Sequence, residues 1–355
     1  MATASAVPET YGLQGDDARA TLGATGFGRL VKDSFIRFRT GDGFSNARAV
    51  AHAITLTAFP ALIMVIGIAS AFDLGTFRQV LQSTIQSLAP GPAGNLLQEA
   101  FRQGSSGGGA LFGGLLGVLV SGTFAMALME RGCNRIYGMV RDRKFWKKVG
   151  VGLVVNVTAG TLMALAFLLL AMGGALGDAL TGSAGWSDTA GTVFSVLRWP
   201  LGLVLAFAAL TVVYKVSPNR RQPSGGWLQV GTVVATILWF ALTALLAWYY
   251  GSNSSLGDTY GPLVGIIALL TWANATGVAV LFGMAFAAQL EAVRAGVPGP
   301  RTLRRHNEVL RRPEESSEYP AGGPLVLLPG SRTGEAVGPR PLESPPPPPG
   351  TAASA

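Results

Sequence analysis

Long apolar runs, each of about 20 residues or more, recur six times along the chain. Five of them contain no Asp, Glu, Lys or Arg, and the fourth contains only Arg198, near its start. A helix of about 20 apolar residues crosses the hydrocarbon core of a bilayer, and backbone groups in lipid must pair within their own segment. The pattern therefore predicts an all-α, polytopic membrane protein with six transmembrane helices. The predicted spans are 49–72, 110–129, 149–172, 193–214, 228–249 and 263–286.

Two shorter segments have a helical apolar stripe and predict amphipathic surface helices. The segment 27–39 places five apolar residues along one face, and Arg29, Lys32, Arg37 and Arg39 lie largely elsewhere. This arrangement is typical of an interfacial helix on an anionic leaflet. The loop 73–109 has two apolar-periodic pieces, which predict a helical pair that either lies on the outer membrane surface or caps the bundle. The five apolar residues of the first stripe are Phe27, Leu30, Val31, Phe35 and Phe38.

Polar and proline-rich composition marks both ends of the chain. Residues 1–26 are rich in Gly, Ala and polar side chains, and residues 296–355 end in a run that includes five consecutive prolines at 345–349. Such compositions cannot bury a core. We therefore predict a disordered N-terminal tail, a membrane domain over 27–295 and a disordered, Pro-rich cytoplasmic tail.

Charge is scarce and unevenly placed. Charged residues make up 13% of the chain, mean hydropathy is +0.40 and net charge is +8. Counted before, between and after the spans, Lys and Arg number 6, 2, 7, 0, 3, 0 and 8, with Arg198 inside the fourth span. This alternation is what the positive-inside rule gives for six helices with both termini in the cytoplasm (N-in/C-in). The excess charge needs no nucleic-acid partner; the predicted partners are lipids of the anionic inner leaflet.

Residues for covalent or metal chemistry are few. The chain has one cysteine, Cys133, and two distant histidines, His52 and His306. A metal site needs three or four clustered ligands, and the sequence has neither such a cluster nor a Ser-His-Asp set or phosphate-binding glycine loop. We predict no catalytic, metal-binding or cofactor-binding residues, and hence a protein that is not an enzyme.

Five residues within the predicted spans are candidates for function, each with a simpler alternative. His52 could serve in a proton relay or be a hydrogen-bonded or snorkelling histidine. Pro60 removes a backbone hydrogen bond and predicts a kink, which is either a hinge or static. Asn156 and Asn274 could bridge helices or line a polar path. Arg198 could snorkel to headgroups or hold an anionic headgroup or substrate.

Small residues recur every four positions in three spans, which indicates close helix packing. The partner helix could belong to the same chain or to a second copy, so a homo-oligomer stays open. The three sets begin at Gly113, Gly152 and Ala275 and continue through Gly117, Ser121 and Ala125, through Asn156, Gly160 and Ala164, and through Ala279, Gly283 and Ala287.

Several short motifs follow one another in a familiar order. They are Val50–Ala53 with Pro60, Asn134–Tyr137, Arg198–Leu201, Tyr214–Arg220, Tyr260–Leu263 and Gly283. Together they resemble the YihY/BrkB family of bacterial inner-membrane proteins, once labelled ribonuclease BN and now often called envelope integrity proteins. The resemblance covers about residues 27–295. The ribonuclease label fits poorly with a chain that lacks clustered His and carboxylates.

The resemblance implies six helices in the bacterial cytoplasmic membrane and a role in envelope integrity. The motif residues that are candidates to line or gate the inner face are Asn134, Tyr214, Pro218, Asn219 and Arg220, and Arg135 of the same motifs is a further candidate for function. The sequence departs from the family at His52, where members usually have an aromatic residue. Two functions stay open: transport or handling of an amphiphilic substrate such as a lipid, and a non-transporting scaffold that acts through its cytoplasmic tails and loops.

Overall fold

The computed structural model describes residues 4–10, 12–71, 107–139, 142–183, 188–252 and 263–297. Within these ranges the chain forms eight α-helices and no β-strand, which confirms the all-α prediction. The helices are α1 Gly15–Thr25, α2 Phe27–Thr40, α3 Gly43–Ala71, α4 Gly107–Ile136, α5 Phe145–Ser183, α6 Asp188–Val216, α7 Gly225–Ser252 and α8 Leu263–Arg294.

The last six helices, α3 to α8, are long and apolar enough to cross a membrane, as predicted. Most of them continue past the predicted span ends, and two continue through buried carboxylates. The helix α4 runs through Glu130, and α8 runs through Glu291. The predicted last span ends at residue 286, so Glu291 lies beyond it in the prediction but within α8 in the structure.

The buried core lies towards one end of the bundle. Its largest fully buried side chains belong to α2, the end of α4, the end of α6, the start of α7 and the last turns of α8; they include Trp227, Tyr137, Tyr214, Phe286 and Leu30. Farther along the long helices, large apolar side chains are exposed, among them Phe112, Leu116, Val204 and Trp248. This distribution suits a bundle whose middle faces lipid rather than water.

Glycines set two close helix contacts. A Cβ on Gly117 of α4 would lie 2.6 Å from Pro60 Cβ of α3, and one on Gly231 of α7 would lie 2.6 Å from the Gly283 carbonyl oxygen of α8. Of the predicted small-residue faces, the α8 set is buried from Ala279 to Ala287. The first set is wrong at Gly113, where a Cβ would meet nothing within 4 Å.

The helix α2 divides its predicted apolar stripe between the bundle and the exposed surface. Its buried residues are Leu30, Ser34, Arg37, Phe38 and Thr40, whereas the predicted stripe members Phe27 and Phe35 are 61% and 48% exposed. The predicted polar residue Arg37 faces inward because carbonyl and amide acceptors surround it there. Phe27 and Phe35 remain available to a membrane surface.

The prediction of a disordered segment over residues 1–26 does not hold for the described part of that segment. Residues 15–25 form α1, and Ala4, Val7, Leu13 and Ala18 are buried. The segment orders because its backbone and side chains pair with charged groups of the bundle, which composition alone does not reveal. The predicted helical pair in the 73–109 loop and the Pro-rich tail beyond Val297 lie outside the described residues, apart from 107–109, which begin α4.

Candidate functional site

Four segments that the sequence predicts on one side of the membrane meet at the same end of the bundle. These are the N-terminal residues 4–10 and 12–25, the end of α4 with residues 137–139 and 142–144, the connection between α6 and α7, and the last turns of α8. The Val7 N–H donates to the Tyr137 carbonyl (3.2 Å), and the Ser224 N–H donates to the Leu13 carbonyl (3.2 Å). Arg294 of α8 pairs with Asp17 of α1 at 3.2 Å. We call this region the polar end.

A buried ion pair joins the α6–α7 connection to α8 at the polar end. Arg220 Nη2 lies 2.6 Å from Glu291 Oε1, and the two side chains are 2% and 0% exposed. The N-terminal segment completes the contact, because Thr10 Oγ1 donates to Glu291 Oε1 (2.5 Å) and the Pro8 carbonyl accepts from Arg220 Nη2 (2.9 Å). The Arg220 guanidinium also lies 4.4 Å from the ring centre of Tyr137, a cation–π contact.

The ion pair leaves hydrogen-bonding capacity unused within the described part of the chain. Arg220 Nε and Nη1, Glu291 Oε2, Gln289 Nε2 and Gln222 Nε2 are all buried without a protein partner. A buried polar atom without a partner costs about 1–3 kcal/mol. The polar end therefore retains donors and an acceptor that a bound ligand or water can satisfy.

Arg37 is a second buried cation in this region. Its Nε donates to Gln289 Oε1 (2.8 Å), and its Nη1 donates to the carbonyls of Ser5 (2.9 Å) and Ile136 (3.2 Å). Burial lowers the pKa of Arg37 to about 10. It is still charged at neutral pH, so it adds a second buried cation near Glu291.

Two buried tyrosines link the same elements. Tyr137 Oη donates to Gln222 Oε1 at 3.2 Å, and burial raises the pKa of Tyr137, which keeps the phenol protonated. Tyr214 Oη donates to the Val280 carbonyl of α8 at 2.6 Å. Tyr214 thus holds α6 against α8 through one interhelical hydrogen bond.

A separate ion pair fixes the end of α6. Arg143 lies 2.8 Å from Glu130 and donates to the carbonyls of Val216, Ser217 and Pro218 at 2.7–3.1 Å. The last carbonyls of a helix lack partners within the helix and carry its negative dipole end, so a guanidinium there satisfies both needs. This contact positions the loop that carries Asn219 and Arg220.

Asn134 joins two loops across the polar end. Its Oδ1 accepts from the Asn219 N–H (2.8 Å), and its Nδ2 donates to Asp142 Oδ1 (2.8 Å). Asp142 also pairs with Lys148 at 3.1 Å. The motif residues Asn134, Pro218 and Asn219 therefore position the loop before Arg220 rather than forming a cavity of their own.

Asp142 gives the polar end a pH dependence. Burial raises the pKa of its carboxyl, but hydrogen bonds from Asn134 and Lys148 and nearby positive charge outweigh burial, so the pKa lies below its ordinary value of 3.8. A carboxyl with a depressed folded-state pKa stabilises the fold above its unfolded pKa and loses that contribution as pH falls through the folded value. We expect Asp142→Asn to lower stability at pH 7 and to match the parent protein near pH 2. Thermal unfolding in detergent between pH 2 and 7 measures the difference, and a gap between the two proteins that does not shrink on acidification contradicts this account.

The remaining sequence candidates make other contacts. Asn156 of α5 donates to the Val118 carbonyl of α4 (3.1 Å), the interhelical bridge anticipated for it. Arg198 lies within α6, with its guanidinium 5.5 Å from the Trp199 ring centre. Arg135 pairs with Asp42 at 3.9 Å, and Pro60 packs against Gly117 within a helix that continues past it. His52 and Asn274 meet at a cleft between α3 and α8 with a volume of about 280 Å³.

Several central residues were absent from the sequence candidates. They are Arg37, Glu130, Tyr137, Arg143, Gln289 and Glu291. One signal was available for Glu291, because small and apolar residues continue at helical spacing through Ala287, Leu290 and Ala292 and predict a helix beyond residue 286. Among the described residues, no three His, Cys, Asp or Glu side chains lie together as a metal site would require.

Comparison with known proteins agrees with this architecture. The family described as "Virulence factor BrkB" matches residues 34–306. A Bacillus subtilis protein named YfkH, described as ribonuclease-like, is 28% identical over 72% of this chain and 92% of its own length. UPF0761 membrane proteins of Rhodospirillum centenum and Alkalilimnicola ehrlichii are each 27% identical over 75% and 70% of this chain.

The match spans 58% and 55% of the two UPF0761 proteins, so it covers little more than half of their length. No solved structure matches the chain. The family match covers most of the chain, including the six long helices, and confirms the resemblance seen in the sequence motifs. The chain belongs to the BrkB family of membrane proteins.

Proposed function

We propose that this protein is a non-enzymatic, multi-pass protein of the bacterial cytoplasmic membrane that supports envelope integrity by moving or sorting an anionic amphiphile. The polar end and both termini face the cytoplasm in this proposal. The uneven placement of Lys and Arg supports that orientation, because the segments that meet at the polar end are the ones rich in positive charge.

The observation that carries the proposal is the Arg220–Glu291 pair. Glu291 belongs to the candidate membrane span Val264–Arg294 and is fully buried. A buried carboxylate or guanidinium is costly to desolvate unless it is paired and hydrogen-bonded. A buried ion pair is weak evidence for stability, so a functional reason for this one is needed.

The geometry supports an exchange of partners at Arg220. Its Nε and Nη1 are buried and have no partner among the described residues, while Nη2 binds Glu291. A phosphate or carboxylate headgroup that enters the cluster would take the free donors bidentately. The N-terminal segment lies across this pair through Pro8 and Thr10, so entry requires that the segment shift.

Lipid movement between leaflets tests the proposal. Purified protein is reconstituted into phosphatidylglycerol-containing vesicles with a headgroup-labelled phosphatidylglycerol, and the protected fraction of label is followed after addition of a membrane-impermeant quencher. We expect label in the inner leaflet to become accessible faster than in protein-free vesicles. The variant Arg220→Gln is expected to lose the gain, while Arg220→Lys, which keeps the charge, retains part of it.

The matched control is Arg19→Gln, which removes one cation from an exposed position of α1. It is expected to leave the rate unchanged. Each variant is checked for folding by its thermal unfolding temperature in detergent. Equal rates for parent protein, Arg220→Gln and empty vesicles, together with unchanged leaflet lipids in a deletion strain, would overturn the proposal.

A further inference from the structure

A shallow cleft opens on the surface of the bundle, between α3 and α8. It has a volume of about 280 Å³ and is lined by Arg48, Ala51, His52, Leu270, Thr271 and Asn274. None of these six residues is acidic. The cleft lies near a close contact of the two helices, where a Cβ on Gly277 would lie 2.8 Å from the Ala47 carbonyl oxygen.

The polar residues of the cleft come from facing stretches of the two helices. Arg48 and His52 are one turn apart on α3, and both are exposed. Asn274 of α8 lines the same cleft. Arg48 follows the start of α3 at Gly43 by about 7–8 Å, and His52 lies one turn deeper along the span. Because Gly277 of α8 meets Ala47 of α3, Arg48 lies closer to the polar end of the bundle than the His52 and Asn274 side chains do.

Apolar side chains continue both stripes away from the polar end. On α3, Leu56 and Phe59 follow His52 at helical spacing and are 52% and 54% exposed. On α8, Leu270 and Ile267 precede Asn274 at the same spacing and are also exposed. A soluble phosphate has no apolar part that could contact these side chains. Acyl chains that extend from a headgroup in the cleft would lie directly along them.

From this arrangement we propose that the α3–α8 cleft is a binding site for an anionic glycerophospholipid. Arg48 binds the headgroup phosphate, His52 and Asn274 donate to the glycerol or ester oxygens, and the acyl chains lie along Leu56, Phe59 and Ile267. Charge complementarity and the depth of the polar groups identify the lipid. The inference goes beyond the proposed function, because a bound lipid requires no movement between leaflets and the cleft is separate from Arg220.

Native mass spectrometry of the full chain in detergent tests the site with phosphatidylglycerol and phosphatidylcholine as probes. We expect the first phosphatidylglycerol to bind more tightly than phosphatidylcholine. Arg48→Gln is expected to weaken this binding about ten-fold, because a charge-assisted hydrogen bond and its charge are both lost. Asn274→Leu, which keeps the charge but removes a donor, is also expected to weaken it.

The matched control is Arg39→Gln, which removes a cation from an exposed position of α2 at the same end of the bundle. It is expected to change binding less than about three-fold, since Arg39 does not line the cleft. Free glycerol 3-phosphate is added as a competitor, and its failure to displace the lipid identifies the intact lipid as the ligand. Displacement by glycerol 3-phosphate, equal affinity for the two lipids, or unchanged binding by Arg48→Gln would each overturn the proposal, whatever the vesicle assay shows.

Discussion

Replacing Glu291 by alanine is expected to lower the free energy of unfolding by about 3–5 kcal/mol, the cost of leaving a buried charge without its partner. Arg220 would keep its buried guanidinium and lose the carboxylate 2.6 Å away. Thr10 would lose its acceptor in the same change, so the N-terminal segment would be less firmly held. Unfolding of the purified protein in mixed micelles, followed by circular dichroism as the denaturing detergent is raised, measures the effect.

Removing both charges of the ion pair distinguishes the stability contributed by the pair from the cost of leaving one charge buried alone. The double variant Arg220→Met/Glu291→Leu is expected to lose much less stability than either single variant, because it buries no uncompensated charge. The matched control is Asp16→Ala, which breaks an exposed pair with Arg19 at 3.8 Å and is expected to cause no measurable change. If the double variant is as unstable as Glu291→Ala, the ion pair itself contributes the stability and our functional interpretation of it weakens.

The six long helices could be predicted from sequence because the bilayer imposes a length and an apolar composition on each span. The sequence also predicted that the basic segments meet at one end of the bundle. Alternate connections between consecutive spans lie on the same side, and the Lys and Arg residues in each connection can be counted from the sequence. Burial of Arg37 could not be predicted in this way. Its acceptors Gln289 and Ile136 are 252 and 99 residues away, so a local stripe on α2 holds no information about them.

In the candidate site, too, the sequence revealed the residues of a continuous motif but not those whose role depends on distant partners. Tyr214, Pro218, Asn219 and Arg220 were found because they form a continuous motif, and the structure brings all four to the polar end. Glu291 was missed because its role depends on Arg220, 71 residues earlier, and on Thr10, 281 residues earlier. The order of residues 4–10 and 12–25 has the same origin, since this polar segment is held by partners far away in the sequence, such as Glu291 and Arg294.

The contact of α7 with α8 depends on a glycine that tolerates no side chain. A Cβ on Gly283 would lie 2.5 Å from both the Gly231 carbonyl oxygen and Tyr214 Oη, and 2.6 Å from Ala235 Cβ. The Gly231 oxygen is a backbone atom and Ala235 Cβ is attached directly to the backbone, so neither can move without the helix. Tyr214 Oη is held by its hydrogen bond to the Val280 carbonyl. Gly283→Ala must therefore separate α8 from α6 and α7.

We expect Gly283→Ala to destabilise the protein by about 1–3 kcal/mol or more, as overpacking does. Gly113→Ala is the matched control, because that glycine also lies within a membrane helix but a Cβ there would meet nothing within 4 Å. Alanine favours the helix over glycine by up to about 1 kcal/mol, so Gly113→Ala is expected to leave stability unchanged or raise it. The same micelle titration compares the two variants, and a Gly283→Ala protein as stable as the parent would show that the helices do not approach each other this closely.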